Sequence, residues 1–560
     1  MDLRLPLAEP SDAEREAVDA VVGVQNANGG RVSRAERDRR HLLLPALRAA
    51  QRRVGWVSEG ALGYVSRRLD VPPADAYGVA TFYALIALEE RPADVLHVCT
   101  DLACRLQGAE VPEGAHASPC LGLCERAPAS LRTIAGPEPR ELQLPEAGPP
   151  LPQAGEPGLR LLGRIAAGVD PESLDAYRNH GGYDALRRAL ELGPEGVLRE
   201  VVESRLLGRG GAAFPTGAKW EAVARQPAHP HYLVCNADES EPGTFKDRVL
   251  MEGDPFALVE AMTIAAYATG CERGFVYVRA EYPLAHERLE NAFAQARARG
   301  LLGDDVLGAG FAFDLELRIG AGAYVCGEET ALFQSIEGYR GEPRNKPPFP
   351  VEAGLFGKPT VVNNVETLFN VLDVVAGSGA AFASVGTEQS TGTRLFCVSG
   401  CVERPGLYEV PFGYPLGDLL ERAGAAPPKA VLLGGAAGSF LRPDQLDLEL
   451  SFEAARAAGA TLGSGVVIVY DESADLVDAV LRIAEFFRDE SCGQCVPCRV
   501  GTIRQEEALQ RLASGRANGN ELEVLTDLTR VMQDASICGL GQTAANAVAS
   551  AMMNLGVLAP

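Results

Sequence analysis

From about residue 12 to 92 apolar positions recur every three or four residues, which predicts helix throughout that stretch. Val57-Ser58-Glu59-Gly60-Ala61-Leu62 and Pro72-Pro73-Ala74-Asp75 supply helix-start chemistry within it. The pattern then changes, and Val95-Leu96-His97-Val98-Cys99 reads as a short strand. From roughly 135 to 160 the chain is rich in Pro, Gly and Glu, and Gly148-Pro149-Pro150-Leu151-Pro152 marks this as an extended linker between two independently folded units. Helix is expected again over 175–205. Beyond it, short apolar strands (Tyr232-Leu233-Val234; Gly274-Phe275-Val276-Tyr277-Val278) alternate with helices over 255–269 and 283–299, the signature of an α/β sandwich. Residues 392–470 carry strands Arg394–Ser399 and Gly465–Tyr470 with a short helix between, a small α+β module. Helical periodicity returns from 475 to the last residue, and no internal repeat is visible.

Length adds only that 560 residues need several cores. The net charge of −23 argues against nucleic acid, because phosphate contacts need clustered Lys and Arg. The opening Met1-Asp2-Leu3-Arg4-Leu5 lacks the basic-then-apolar pattern of a signal segment, and no run of about 18 apolar residues predicts a membrane span. Thirteen cysteines, mostly clustered, suit metal ligands and free thiols in a reducing, bacterial-type cytosol better than disulfides. The seven histidines form no metal-binding pattern.

The cysteines carry the chemistry. Ser491-Cys492-Gly493-Gln494-Cys495-Val496-Pro497-Cys498-Arg499 is a C-x2-C-x2-C run. Three thiolates so spaced can meet one face of a [4Fe–4S] cube while a distant ligand closes the fourth corner. Cys538, in Ile537-Cys538-Gly539-Leu540-Gly541, is the candidate; an inert buried thiol is the plain alternative there. Four thiolates also suit structural zinc, although zinc sites more often show two C-x2-4-C pairs. A second constellation pairs Cys99 and Cys104 with Cys120 and Cys124.

Three loops add possible ligand contacts. Gly208-Arg209-Gly210-Gly211-Ala212-Ala213-Phe214-Pro215-Thr216-Gly217-Ala218-Lys219-Trp220 is neither a Walker A loop nor a GxGxxG turn, yet its freed amides and two cations suit an anionic cofactor. Asn236–Asp247 follows a strand end and offers acceptors for ribose hydroxyls. Gly320–Thr330 ends in the adjacent carboxylates Glu328 and Glu329. Each alone reads equally well as an ordinary loop.

Taken together, Gly208–Trp220, Asn236–Arg248, Tyr324–Thr330, Arg344–Pro350, Asn363–Thr367 and Ser491–Thr502 resemble, in order, the motifs of the FMN- and NADH-binding flavoprotein subunit of respiratory complex I. The resemblance spans residues 160–560. Residues 25–135, with Gly78-Val79-Ala80-Thr81-Phe82-Tyr83, resemble the thioredoxin-like [2Fe–2S] subunit of the same complex, so the chain looks like a fusion of the two. The resemblance implies a multidomain α/β protein: an N-terminal helical region (1–92), a truncated thioredoxin-like domain (93–135), a linker (136–160), an FMN/NADH-binding α/β domain (161–390), a ubiquitin-like α+β domain (391–472) and a helical [4Fe–4S] domain (473–560). It implies that Gly208, Arg209, Gly210, Gly211, Lys219, Asn236, Asp238, Glu239, Asn363, Asn364 and Thr367 hold FMN. Phe214, Tyr324, Gly327, Glu328, Lys346 and Phe349 then line the cofactor cleft, with Glu241 and Glu329 as its catalytic carboxylates. Glu241 would accept ribose hydroxyls and repel a 2′-phosphate, favouring NAD over NADP. Cys492, Cys495, Cys498 and Cys538 would ligate the [4Fe–4S] cluster, and Cys99, Cys104, Cys120 and Cys124 a [2Fe–2S] cluster. Cys235, Cys271, Cys326, Cys397 and Cys401 remain as structural thiols. Only fifteen residues, 105–119, separate the two cysteine pairs, where the family has a helix and a strand, so a shortened fold is expected there. The implied activity is NADH:acceptor oxidoreduction within a hetero-oligomer. The fused arrangement points first to NAD-dependent formate dehydrogenase, with NAD-reducing hydrogenase or complex I as alternatives.

Overall fold

The computed structural model describes residues 8–23, 39–517 and 519–558. The opening pentapeptide and part of the expected N-terminal helical stretch, 24–38, lie outside the described residues. Within that stretch helices form at Asp12–Val22, Leu43–Val54, Glu59–Leu69 and Pro73–Ala80. Ser58 accepts from the Ala61 amide at the start of the third, and Pro73 opens the fourth, at the two places where the sequence carries helix-start residues. Gly55, at φ 101°, closes the helix before them with the left-handed turn glycine allows.

Strand β1 (Asp94–Cys99) sits inside a four-stranded sheet with β2 (His116–Ser118), β3 (Ser130–Ile134) and β4 (Arg140–Leu144), in the order β2-β1-β3-β4. The shortened fold expected between the cysteine pairs forms, and the expected linker does not stay free. The interval between the cysteine pairs still contains the end of a helix, Leu102–Leu106, and all of β2, so the family's helix and strand are compressed, not lost. The supposed free linker is also largely anchored. Its Arg140–Leu144 pairs along the whole of β3, because an extended chain next to an open sheet edge satisfies its backbone there. Further on, Gln153 is buried and exchanges hydrogen bonds with the Glu409 backbone (Nε2 to O 3.1 Å; Glu409 N to Oε1 2.6 Å).

The largest unit is a parallel sheet of β5 (His231–Ala237), β6 (Cys271–Val278), β7 (Asp314–Ile319) and β8 (Thr360–Asn364), ordered β7-β6-β5-β8. Strand alternation divides its side chains between two cores. Leu233, Cys235, Val276, Val278 and Val361 enter one; Val234, Phe275, Tyr277 and Val362 enter the other. Helix Pro255–Thr269 is buried on every residue but Tyr267, as befits an element wrapped on all sides. β5 and β8 lie where the strand order reverses, the crevice in which open α/β sheets bind ligands.

A five-stranded mixed sheet follows, built from β9 (Thr393–Gly400), β10 (Gly406–Pro411), β11 (Ala430–Leu433), β12 (Ser439–Leu441) and β13 (Val466–Tyr470) in the order β10-β9-β13-β11-β12. The C-terminal unit packs helices Leu476–Asp489, Val496–Ala513, Glu521–Ala535, Gly539–Thr543 and Asn546–Leu555.

Candidate functional site

The glycine-rich loop closes on itself through Gly208 N to Phe214 O (2.9 Å) and Thr216 N to Leu206 O (2.9 Å). Helix Thr216–Ala224 then starts, with Lys219 in its first turn. The loop rests on the end of β8. Arg209 N donates to Thr367 Oγ1 (2.8 Å), and a Cβ on Gly210 would lie only 3.1 Å from Asn364 Cβ. Asn364 caps helix Val365–Ala376, and Asn363 Oδ1 accepts from Trp220 Nε1 (2.8 Å). At the end of β5, Asn236 Nδ2 donates to Gly327 O (2.8 Å), which ties the second loop to the third.

The third loop carries a compact charge ring. Lys346 Nζ reaches Glu328 Oε1 (3.0 Å) and Glu329 Oε1 (2.8 Å), while Lys219 stands 3.6 Å from Glu329 Oε2. Burial opposes its ionisation, yet Lys219 and Lys346 hold Glu329 below the usual carboxylate range. Phe214 and Phe349 are half exposed, at 55% and 52%, flat apolar faces left open to a planar ligand. Glu241 is fixed at both oxygens, by Tyr324 O–H (2.6 Å) and Ala437 N–H (2.9 Å), and burial pushes its carboxyl up to about 7.

Two residues expected to hold the flavin turn their side chains elsewhere. The Arg209 guanidinium is fully buried, donates to the Thr391 (2.7 Å) and Thr393 (3.3 Å) carbonyls and lies 4.6 Å from the Phe412 ring centre. Carbonyls of a module some 180 residues away outcompete an open loop for so many donors, leaving only the Arg209 backbone near the cleft. The Glu239 carboxylate accepts from Asp247 N (2.8 Å), Arg248 N (3.0 Å) and Tyr282 O–H (3.1 Å), so it caps helix Lys246–Gly253.

Cys492, Cys495, Cys498 and Cys538 line one cavity, together with Val325, Pro343 and Leu540. Cys495 and Cys538 stand at the N-caps of helices Val496–Ala513 and Gly539–Thr543. Burial pushes the Cys498 thiol up to about 11 and Cys538 up to about 12, so ligation must draw on the positive charge of bound iron to deprotonate them. Three thiols from one C-x2-C-x2-C run and a fourth from a distant loop around the same cavity suit the corners of a [4Fe–4S] cluster. Cys99, Cys104, Cys120 and Cys124 are all buried, at 4% exposure or less; Cys120 and Cys124 lie 3.4 Å apart at sulfur, and Cys99 neighbours Cys104 and Cys120. This second set also fits an iron–sulfur group.

Three connections were not legible in the residue spacing. Tyr324 N donates to Glu490 Oε2 (2.8 Å), two residues before Cys492, and its neighbour Val325 lines the cysteine cavity. Arg279 donates to the Cys120 (2.6 Å) and Glu239 (2.8 Å) carbonyls, and Arg248 Nε to the Gly122 carbonyl (2.9 Å). Isolated arginines carry no pattern that could have announced them. Leu433-Gly434-Gly435-Ala436-Ala437-Gly438, which supports Glu241, did offer a signal in its glycines.

Comparisons with known proteins match the regions that carry these loops and six of the eight clustered cysteines. Residues 201–373 match the Nuo51 FMN-binding domain, 478–555 the NADH-ubiquinone oxidoreductase-F iron-sulfur binding region, 31–113 the thioredoxin-like [2Fe-2S] ferredoxin family and 395–436 the SLBB domain. The [2Fe-2S] match stops before Cys120, and it is the fold that brings the second cysteine pair to the first. An F-type NADH-quinone oxidoreductase subunit of Rhizobium meliloti is 46% identical over 389 residues, covering 68% of this chain and 92% of that protein. The NADP-reducing hydrogenase subunit HndC of Solidesulfovibrio fructosivorans is 45% identical over 399 residues, 70% of this chain and 81% of its own. A chain of the crystallised NAD⁺-reducing [NiFe]-hydrogenase in its air-oxidised state aligns with 94% of both chains, at 32% identity and a TM-score of 0.78. The chain belongs to the F-type NADH-quinone oxidoreductase family of FMN- and iron–sulfur-containing subunits, with a thioredoxin-like [2Fe–2S] unit joined to its N-terminal side.

Proposed function

We propose that this chain takes electrons from NADH, or returns them to NAD⁺, and exchanges them singly with a partner subunit through its C-terminal cluster. The net reaction is NADH + 2 oxidised carriers ⇌ NAD⁺ + H⁺ + 2 reduced carriers. FMN, when bound, supplies the step between hydride and single electrons that neither nicotinamide nor iron–sulfur chemistry makes alone. One observation carries the reading: Tyr324 engages Glu241 in the cleft, and the adjacent Val325 lines the four-cysteine cavity. A single loop thus joins the hydride site to the one-electron site.

In this reading Gly208–Gly211, Lys219, Asn236, Asp238, Asn363, Asn364 and Thr367 seat the flavin, Arg209 and Glu239 contributing backbone only. Phe214 and Phe349 stack on flat rings. Glu241 accepts ribose hydroxyls, and its buried carboxylate disfavours a 2′-phosphate, so NADH should be oxidised faster than NADPH. Hydride transfer needs no general base; Glu241, Glu328, Glu329 and Lys346 orient the nucleotide.

The partner is proposed to be the catalytic subunit of a cytoplasmic formate dehydrogenase. A hydrogenase-type partner has support of its own, the alignment along 94% of a chain of a NAD⁺-reducing [NiFe]-hydrogenase. Purification of the native complex decides. Formate-dependent NAD⁺ reduction supports the first reading, H₂-dependent reduction the second, and a complex that cannot reduce dyes with NADH contradicts both.

A further inference from the structure

A second cavity lies away from the redox cleft, where the N-terminal helices, the [2Fe–2S] sheet and the flavin domain meet. Arg48 and Arg52 reach it from helix Leu43–Val54, Arg91 from the segment before β1, His97 from β1 and Glu141 from β4. Its volume is about 40 Å³, room for roughly three waters. Ala280 and Ala321 close it from the loops after β6 and β7.

The charges do not balance. Three guanidinium groups face one carboxylate. Arg52 pairs with Glu141 at 3.4 Å, and Arg91 Nε donates to the Gly55 carbonyl (2.8 Å). The next carboxylate, Glu281, is held by Arg279 at 2.8 Å. Among the described residues Arg48 has no hydrogen-bond or ion-pair partner, and burial lowers its proton affinity, with Glu141 the main compensating charge. His97 is 6% exposed, and its Nε2 has no partner. A half-buried guanidinium and a buried imidazole nitrogen that meet no partner leave hydrogen-bonding capacity open at the cavity wall.

We propose that this cavity binds a small inorganic oxyanion of phosphate or sulfate size, which clamps the N-terminal unit onto the flavin domain. Guanidinium forks match tetrahedral oxyanions, and the room suffices for such an ion but not for a nucleotide. The clamp stands directly behind the redox loops. Ala280 follows Arg279, which holds the Cys120 carbonyl, and the Ala321 carbonyl accepts from Leu85 N (3.0 Å).

The test uses the full chain with FMN and clusters loaded, so that the flavin's own phosphate seat is filled. Sodium phosphate, sodium sulfate and sodium chloride are compared at equal ionic strength by calorimetric titration, thermal unfolding and hydrogen exchange. The expected result is saturable one-site binding of phosphate or sulfate, a higher unfolding temperature and slowed exchange in Leu43–Val54. R48Q and R91Q should each weaken binding at least about ten-fold with flavin and iron content unchanged. The proposal is overturned if neither oxyanion differs from chloride, if exchange in Leu43–Val54 is unaffected, or if both variants bind as the parent does. Should the variants not fold, the exchange result on the parent decides alone.

Discussion

The two cysteine sites use the same ligand in opposite surroundings. Cys99, Cys104, Cys120 and Cys124 are sealed, and two flavin-domain arginines grip the carbonyls of the Cys120–Cys124 loop. In the C-terminal set only Cys498 is buried; Cys492, Cys495 and Cys538 are partly open, and Val496 and Val500 beside them expose 59% and 44% of their surfaces. Burial and contact therefore suit the first site to exchange with the flavin alone. The second has the flavin loop on one side and an apolar, approachable surface on the other, which suits exchange with a partner protein.

Matched cysteine variants give the largest test of that contrast. Cys498→Ser should leave NADH-dependent flavin bleaching intact, reduce iron from about six to about two atoms per chain, and slow electron delivery to the partner by about a hundred-fold or more. Cys120→Ser should leave about four irons and keep delivery within about five-fold of the parent. Iron analysis and stopped-flow spectroscopy measure both, and equal losses of delivery would erase the proposed difference.

A middle-sized effect lies in the cleft. Burial raises Glu241 from its ordinary value near 4.5 to about 7, so the folded chain favours the neutral acid. The stability this gives is full below about 4.5 and is lost as pH rises through about 7, amounting to about 3 kcal/mol at most. Glu241→Gln keeps a neutral group at every pH. Its unfolding temperature should gain on the parent between pH 5 and 8, whereas parallel curves would refute the burial argument. The carboxylate that appears over the same interval accepts ribose hydroxyls more strongly, so the parent's KM for NADH should fall with rising pH while the variant's stays flat.

The smallest effect concerns Gly435, whose added Cβ would lie 2.6 Å from Glu241 Oε1. Gly435→Ala should displace that carboxylate and raise KM for NADH about ten-fold, with kcat within about two-fold and full cluster content. An unchanged KM would show that the SLBB-region loop does not position Glu241.

Much of this could be read from the chain because local chemistry dictates it. The glycine-rich loop, the carboxylate pair and the C-x2-C-x2-C run are contiguous, and the alternation of strands and helices outlined the α/β core. What escaped depends on remote partners. Arg209 turns inward because Thr391 and Thr393 arrive from a later module, and Glu239 caps a helix whose start it precedes by seven residues. Pro and Gly made 135–160 look like linker, yet Arg140–Leu144 pairs because β3 leaves an edge beside it. No periodicity announces that Arg279 will meet Cys120.

The most direct measurement is an anaerobic visible spectrum and iron count of the purified chain before and after NADH. The account predicts flavin bands that bleach on addition and iron near six atoms per chain, about four from one cluster and about two from the other. A colourless protein containing zinc, or flavin bands indifferent to NADH, would contradict it.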